Sequence, residues 1–323
     1  MLFRKPTYRR GLNIADTKAG IEAASQSVYV PVSTLDILGK LNPQRRYAIT
    51  CLPEQSAAIR VLQLQGHAQA LSIKYILGPY TGTAIKPAAI NTFKRINGIK
   101  KDDAVTSLKW RAGEWPGYLE IITRSGKVLR SPKVYYNFLI PFFVSNSSLQ
   151  SMDFANEFAD LAVGDAWSPE FESKGQGFSV VVSRNAGMTA ILAEMEQKGL
   201  VSLRRETEDA ASSMHGHMID FKKRGSYIRN RIRRLTGRRA PDYGYRPARV
   251  GTKRVLVEMV ISSIFMMGRT RLFRLVLYLL PERMLGPLFN TLRLRWKRVS
   301  RKTKREGLEF YKVVIQEDKH GRF

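Results

Sequence analysis

Cysteine is almost absent from this chain of 323 residues: Cys51 stands alone. One thiol excludes an intramolecular disulfide framework and any zinc or iron–sulfur site built on several cysteines of the chain. Such usage fits a reducing compartment. Long apolar runs are missing as well. A membrane-spanning helix needs about 20 consecutive apolar residues, yet the run after Glu258 meets Arg269, Arg271 and Arg274, and the next meets Pro281 and Glu282. No secretory core is expected either, because "GLNIADTKAG" after the basic start is too polar. There is no G-x-G-x-x-G, no G-x-S-x-G and no phosphate-binding P-loop; "GTKR" (251–254) lacks the glycine frame. Internal repeats and low-complexity tracts are also missing.

Acid is scarce, and unevenly so. The chain carries 54 Lys/Arg against 27 Asp/Glu, a net charge of +27. Between Gly216 and Arg305 there are 25 basic residues and 4 acidic ones, so that segment alone holds +21. Such a block meets a polyanion, either nucleic acid or an anionic membrane surface. Residues 255–305 mix the arginines with dense Leu, Phe and Met, and no nucleic-acid motif accompanies them. Nucleic acid is therefore the less expected partner. A helix lying at a membrane interface fits, as does a helical cap packed on the protein with a solvated charged face.

Upstream, strand-like and helix-like stretches alternate. "RYAITCL" (46–52) leads into "PEQSAAIRVLQLQG", with Pro at a helix start and Gly66 at its end. "LSIKYILGPYTG" (71–82) and "PAAINTFKRING" (87–98) repeat the pattern, which predicts a parallel α/β sheet. Residues 104–132 alternate about two turns and predict an antiparallel meander. Residues 177–204 read as strand, turn, helix and short strand, and the chain from Glu206 onward reads as helical. The expected division is an α/β domain over 1–205 and a basic helical region over 206–323.

Three features invite a chemical reading. "MHGHM" places His215 and His217 in an H-x-H pair, with no further ligand at a metal-binding spacing; two exposed loop histidines are expected. "SSLQSMDFANEFADLAVGDAW" (147–167) gathers Asp153, Glu157, Asp160 and Asp165. On a helix the first three would share a face, whereas Asp165, between Gly164 and Ala166–Trp167, suggests a shaped loop. Cys51 closes an apolar strand and is expected to be a buried structural thiol.

Taken with "SQSVYVPV" (25–32), "CLPEQSAAIRVL" (51–62), "YILGPYTG" (75–82) and "WRAGEWPG" (110–117), the stretch "DFANEFADLAVGDAW" resembles the coenzyme F420 hydrogenase/dehydrogenase beta-subunit family over roughly residues 11–235. The G-x-W-P-G and E-x-A-D-x-x-x-G-D-A-W patterns carry most of the likeness. The resemblance implies an α/β, mixed-sheet flavin-binding type of domain, FAD as cofactor, and hydride exchange with a reduced deazaflavin or another electron carrier. It also implies thiolates for a four-iron cluster where this sequence has Glu54, Thr81, Ser148 and Ser151. Hydroxyls and one carboxylate are poor replacements for thiolates, so no iron–sulfur cluster is expected, nor the ferredoxin-like segment that often precedes such a domain. Flavin contacts are expected from Ser25, Ser27, Gln55, Gly78, Thr81, Gly82, Trp115 and Gly117, with Asp165 and Tyr80 as candidate proton donors. The other reading is a non-catalytic binding or assembly protein at the inner membrane face, associated with envelope polysaccharide synthesis as some bacterial relatives are. On either reading the protein is expected to be cytoplasmic or peripheral at that face.

Overall fold

The computed structural model describes residues 2–4, 12–25, 27–132, 135–175, 177–243, 245–247, 250–299 and 313–315. Strand β1 (Leu2–Arg4) and β2 (Leu12–Ile14) form an antiparallel pair. The next strands are β3 (Tyr47–Thr50), β4 (Ile73–Pro79), the meander strands β5 (Val105–Ala112), β6 (Tyr118–Thr123) and β7 (Val128–Pro132), then β8 (Leu161–Asp165) and β9 (Ser179–Ser183). Six of them make one mixed sheet in the order β2-β1-β3-β4-β8-β9, in which β3, β4 and β8 run parallel and β9 returns antiparallel. The meander is a separate three-stranded sheet. Two short strands, β10 (Tyr245–Pro247) and β11 (Val313–Ile315), pair antiparallel.

Local sequence explains the elements. Helix Pro53–Leu64 starts on proline, and the Gln55 side chain caps it by accepting the Leu52 N–H at 2.9 Å. Gly66, at φ 75°, supplies the left-handed residue that ends it. In β4 a register shift against β3 skips Lys74, so Ile73 and Ile76, three residues apart, are both buried while Lys74 faces out. Ile49, Ile59 and Ile76 are fully buried in one apolar core with Val32, Leu38, Tyr47 and Cys51. Each such isoleucine contributes about 1.5–3 kcal/mol. Cys51 is a buried structural thiol, as expected, its Sγ 3.2 Å from Ser56 Oγ.

The chain divides into two compact units that interleave in sequence. The first comprises Met1–Thr81, Asp103–Lys133 and Ala155–Met214, and contains both larger sheets; the second comprises Gly82–Asp102, Val134–Phe154 and His215–Phe323. The expected 205/206 division falls near the last crossing, at 214/215. The insertion of 82–102 and 134–154 into the helical unit had no compositional mark.

Within the second unit, helix Ala88–Ile96 buries Ile90 and Phe93. The helix Glu208–Asp220, a π-helical turn (Phe221–Gly225) and helix Ser226–Leu235 follow one another without a break. Helices Thr252–Gly268, Arg271–Arg274, Val276–Leu279 and Glu282–Val299 continue the helical content expected after Glu206. Residues 201–204, where a short strand was expected, form none. Among the described residues no helix is long and apolar enough to cross a membrane.

Candidate functional site

Parallel strands send their carboxyl ends to the same side of a sheet, which is where α/β folds place their ligands. In the first unit those ends are Thr50–Cys51–Leu52, Gly78–Pro79–Tyr80–Thr81 and Gly164–Asp165–Ala166–Trp167, three of the stretches singled out in the sequence. Their packing is close. A Cβ on Gly78 would lie 1.8 Å from Asn156 Nδ2 and 2.9 Å from the Cys51 carbonyl oxygen, so only glycine fits there. Asn156, fully buried at φ 55°, donates to that carbonyl at 2.9 Å, which ties β3 to the loop before β8. Gly164 likewise gives its space to the Tyr80 ring, which a Cβ would approach to 2.4 Å. Both glycines thus serve close packing by the chain's own side chains.

Asp165 closes β8 rather than sitting in a loop, and its carboxylate takes both hydrogen bonds from Arg111 Nη1 at 3.0 Å. Partial burial works against the Arg111 charge, but the adjoining Tyr29 and Asp165 outweigh it and hold its pKa above the ordinary guanidinium value. The pair joins the meander to the main sheet. Arg111 Nε also donates to the Pro116 carbonyl at 3.2 Å, and Gly117, at φ 79°, lies 3.1 Å in Cβ terms from Arg111 Cα. The adjoining Trp115 ring lies 5.2 Å from that of Trp167 and is packed by Gly177. Its Nε1 donor is buried with no hydrogen-bond partner among the described residues. Asp165, Trp115 and Gly117 are therefore brought together, with Arg111, Tyr29 and Trp167 as members the sequence reading missed. The W-R-A-G-E-W-P-G spacing could have found Arg111, four residues before Trp115.

The other predicted residues lie apart from that group or are engaged elsewhere. Tyr80 is half-buried among Ala166, Phe171, Phe178 and Val180. Burial pushes its phenol above the ordinary tyrosine value, against a smaller lowering by Arg184, which leaves it a poor acid at neutral pH. Gln55 uses both ends of its amide, accepting from Leu52 and donating to the Val32 carbonyl. Thr81 is buried and donates to the Pro79 carbonyl at 3.2 Å. Ser25 and Ser27 are exposed, and Gly82 opens the second unit, where Met218 packs against it.

The acidic stretch is no helix face. Residues 151–160 contain no helix. Asp160 is consumed by the Ile76 N–H at 2.7 Å, Asn185 Nδ2 at 2.6 Å and Arg60 at 2.9 Å, so it locks β4 to its neighbours. Glu157 is exposed and Asp153 is buried in the other unit. The histidine expectation also needs correcting: both lie on helix Glu208–Asp220, and His215 is buried against Phe154 with ring centroids 5.2 Å apart. An i, i+2 pair on a helix does not converge.

Of the positions where cluster thiolates were implied, Thr81, Ser148 and Ser151 hold hydroxyls already in use, while Glu54 Oε1 is buried with no hydrogen-bond partner among the described residues. Ser148 Oγ accepts the Ala84 N–H at 2.8 Å, and Ser151 Oγ accepts the Asp153 N–H at 3.3 Å. Buried cations cover that segment within the second unit: Lys222 Nζ donates to the Ser148 carbonyl at 2.8 Å and Arg229 Nε to that of Leu149 at 2.7 Å. This donor set does not suit an iron–sulfur cluster. Among the described residues no three His, Cys, Asp or Glu side chains gather as a metal would need.

The family model for the coenzyme F420 hydrogenase/dehydrogenase beta subunit, C terminus, matches residues 44–209. No curated protein matches. Among solved structures, a chain of the F420-reducing nickel–iron hydrogenase complex from Methanosarcina barkeri, studied as its xenon derivative, is similar with a TM-score of 0.54 and 14% identity. The match covers 75% of this chain and 82% of that one, and at such identity it speaks to the fold.

Proposed function

The chain belongs to the coenzyme F420 hydrogenase/dehydrogenase beta-subunit family, and on that premise we propose that it is a flavin-dependent oxidoreductase that works without an iron–sulfur cluster. FAD, when bound, supplies reversible two-electron hydride chemistry between a reduced carrier, such as a deazaflavin, and an acceptor. One observation carries the reading: the tryptophan wall of Trp115 and Trp167, with the Trp115 Nε1 donor buried and unpartnered, beside the end of β8. Such a wall packs a flat ring system, and its free donor meets a ring carbonyl. Arg111 and Asp165 hold the turn that carries Trp115, a positioning role. The oxygen donor set at Ser148 and Ser151 supports the loss of the cluster. The test is the visible spectrum of the purified full chain, before and after addition of FAD, with assays for iron and acid-labile sulfide. Flavin bands without iron or sulfide are expected; a colourless chain that does not take up FAD sinks the reading.

A second reading is favoured by the surface of the helical unit. From Leu256 to Leu294, exposed Leu, Met, Val, Ile and Phe side chains are interspersed with arginines, Leu272 and Leu279 each being 78% exposed. Apolar side chains flanked by cations match an anionic lipid surface. The protein would then act at the inner face of a membrane, with or without catalysis. Co-sedimentation with anionic vesicles at low salt tests it: binding that salt reverses is expected, and no binding removes the claim.

A further inference from the structure

Within the second unit, helix Ser226–Leu235 presents Tyr227, Asn230, Arg231 and Arg234, spaced i, i+3, i+4 and i+7, to a cavity of about 400 Å³. Met152, Leu235 and the segment Pro241–Tyr243 complete its lining. This volume falls in the range of small-molecule sites. We infer that the cavity binds a small phosphate ester carrying hydrogen-bond donors, of mononucleotide or hexose phosphate size.

Three observations fit that ligand. Arg231 is exposed and makes no hydrogen bond or ion pair among the described residues. One helical turn on, Arg234 reaches across to the Pro241 carbonyl at 3.2 Å and Asp242 Oδ2 at 3.3 Å. That ion pair is solvent-exposed on both sides, hence weak and open to exchange for a phosphate. Asn230 supplies the second half of the recognition. It is 1% exposed, its Nδ2 is fixed on the Gln150 carbonyl at 2.8 Å, and its Oδ1 is buried with no partner. A buried acceptor left unpaired is rare and costly, and a hydroxyl or amino group of the ligand satisfies it. Two arginines donate to the phosphate, the asparagine oxygen reads a donor on the body of the ligand, and Tyr227 and Tyr243 flank a ring. The site is independent of the flavin reading, since none of its residues belongs to the first unit.

Titration calorimetry on the full chain, at low salt, tests this with adenosine monophosphate, glucose 1-phosphate and inorganic phosphate as separate probes. At least one ester is expected to bind saturably and about tenfold more tightly than inorganic phosphate, and the ester that does so identifies the source as nucleotide or sugar phosphate. Arg231→Ala should weaken that binding by about tenfold, whereas Arg205→Ala, a control for the general basic charge, should leave it unchanged. Arg231 is on the surface, so the variant folds. Esters that bind no better than inorganic phosphate overturn the inference, as does an Arg231→Ala chain with wild-type affinity.

Discussion

Strands β3 and β4 and helix Thr252–Gly268 sort their side chains by opposite rules. In the strands, Tyr47, Ile49, Ile73 and Ile76 go inward and Lys74 goes out. In the helix, Arg254 and Glu258 are buried at 4% and 0% exposure, while Leu256, Met259 and Val260 stand 57%, 50% and 62% exposed. The first unit is built like an ordinary core, in which apolar burial supplies the stability. Around this helix, a buried network of charges is added to the packing of Ile261 and Phe265 on Phe221 and Leu149. Glu258 takes Arg229 and Arg254; Asp220 takes Arg224 and Arg254, with Arg254 Nε at 2.9 Å. Burial pulls the Arg229 pKa down against the attraction of Glu258, whereas Asp220 and Glu258 outweigh burial at Arg254 and raise its value. Apolar side chains left facing outward are then free for a second apolar phase.

The comparison is broken most severely by removing one partner of the charge network. Glu258→Ala leaves two buried guanidinium groups short of a counter-charge and should cost about 3–5 kcal/mol, read from urea unfolding. A loss below about 1 kcal/mol would mean that the network does not hold the helix. Next in size is the packing rule of the first unit. Gly78→Ala forces a Cβ against Asn156 and the Cys51 carbonyl and should cost about 1–3 kcal/mol in the same measurement. In the helix, Val260→Ser should change stability by less than about 0.5 kcal/mol while lowering retention on anionic vesicles. The reverse pattern, lost stability with unchanged retention, would return this face to the protein core.

The smallest effect is on the alkaline limb. Tyr80 has a folded pKa above the unfolded value of about 10. Its contribution is fully present below that unfolded value and is lost as pH rises through the folded one, because the unfolded phenol gives up its proton first. Stability should therefore fall more steeply above about pH 10 in the native chain than in Tyr80→Phe, as unfolding at a series of pH values would show.

Legibility in the sequence follows the same divide. Proline at Pro53, glycine at Gly66 and the apolar stretch around Ile73 and Ile76 are local signals, so strand, helix and meander could be placed from them, and the family motifs with them. What failed was decided by distant partners. Asp160 sits in a helix-like spacing, yet its role comes from Ile76, Arg60 and Asn185, which lie far away in sequence. Asp165 looked like a loop residue because its partner Arg111 belongs to another sheet. In the basic segment, composition showed the excess of cations but could not show that Arg254 and Glu258 turn inward. Periodicity alone assigns an apolar face to the core, and here the buried face is mixed, Arg254 and Glu258 sharing it with Ile261 and Phe265.

The central claim, that the first unit binds a flavin without a cluster, is tested most directly by equilibrium titration of the purified full chain with FAD, followed by tryptophan fluorescence. Saturable quenching at one FAD per chain is predicted, weakened by about tenfold in Trp115→Phe, which keeps an aromatic face and loses the Nε1 donor. No saturable quenching, or a Trp115→Phe chain that binds FAD as the native one does, would contradict it.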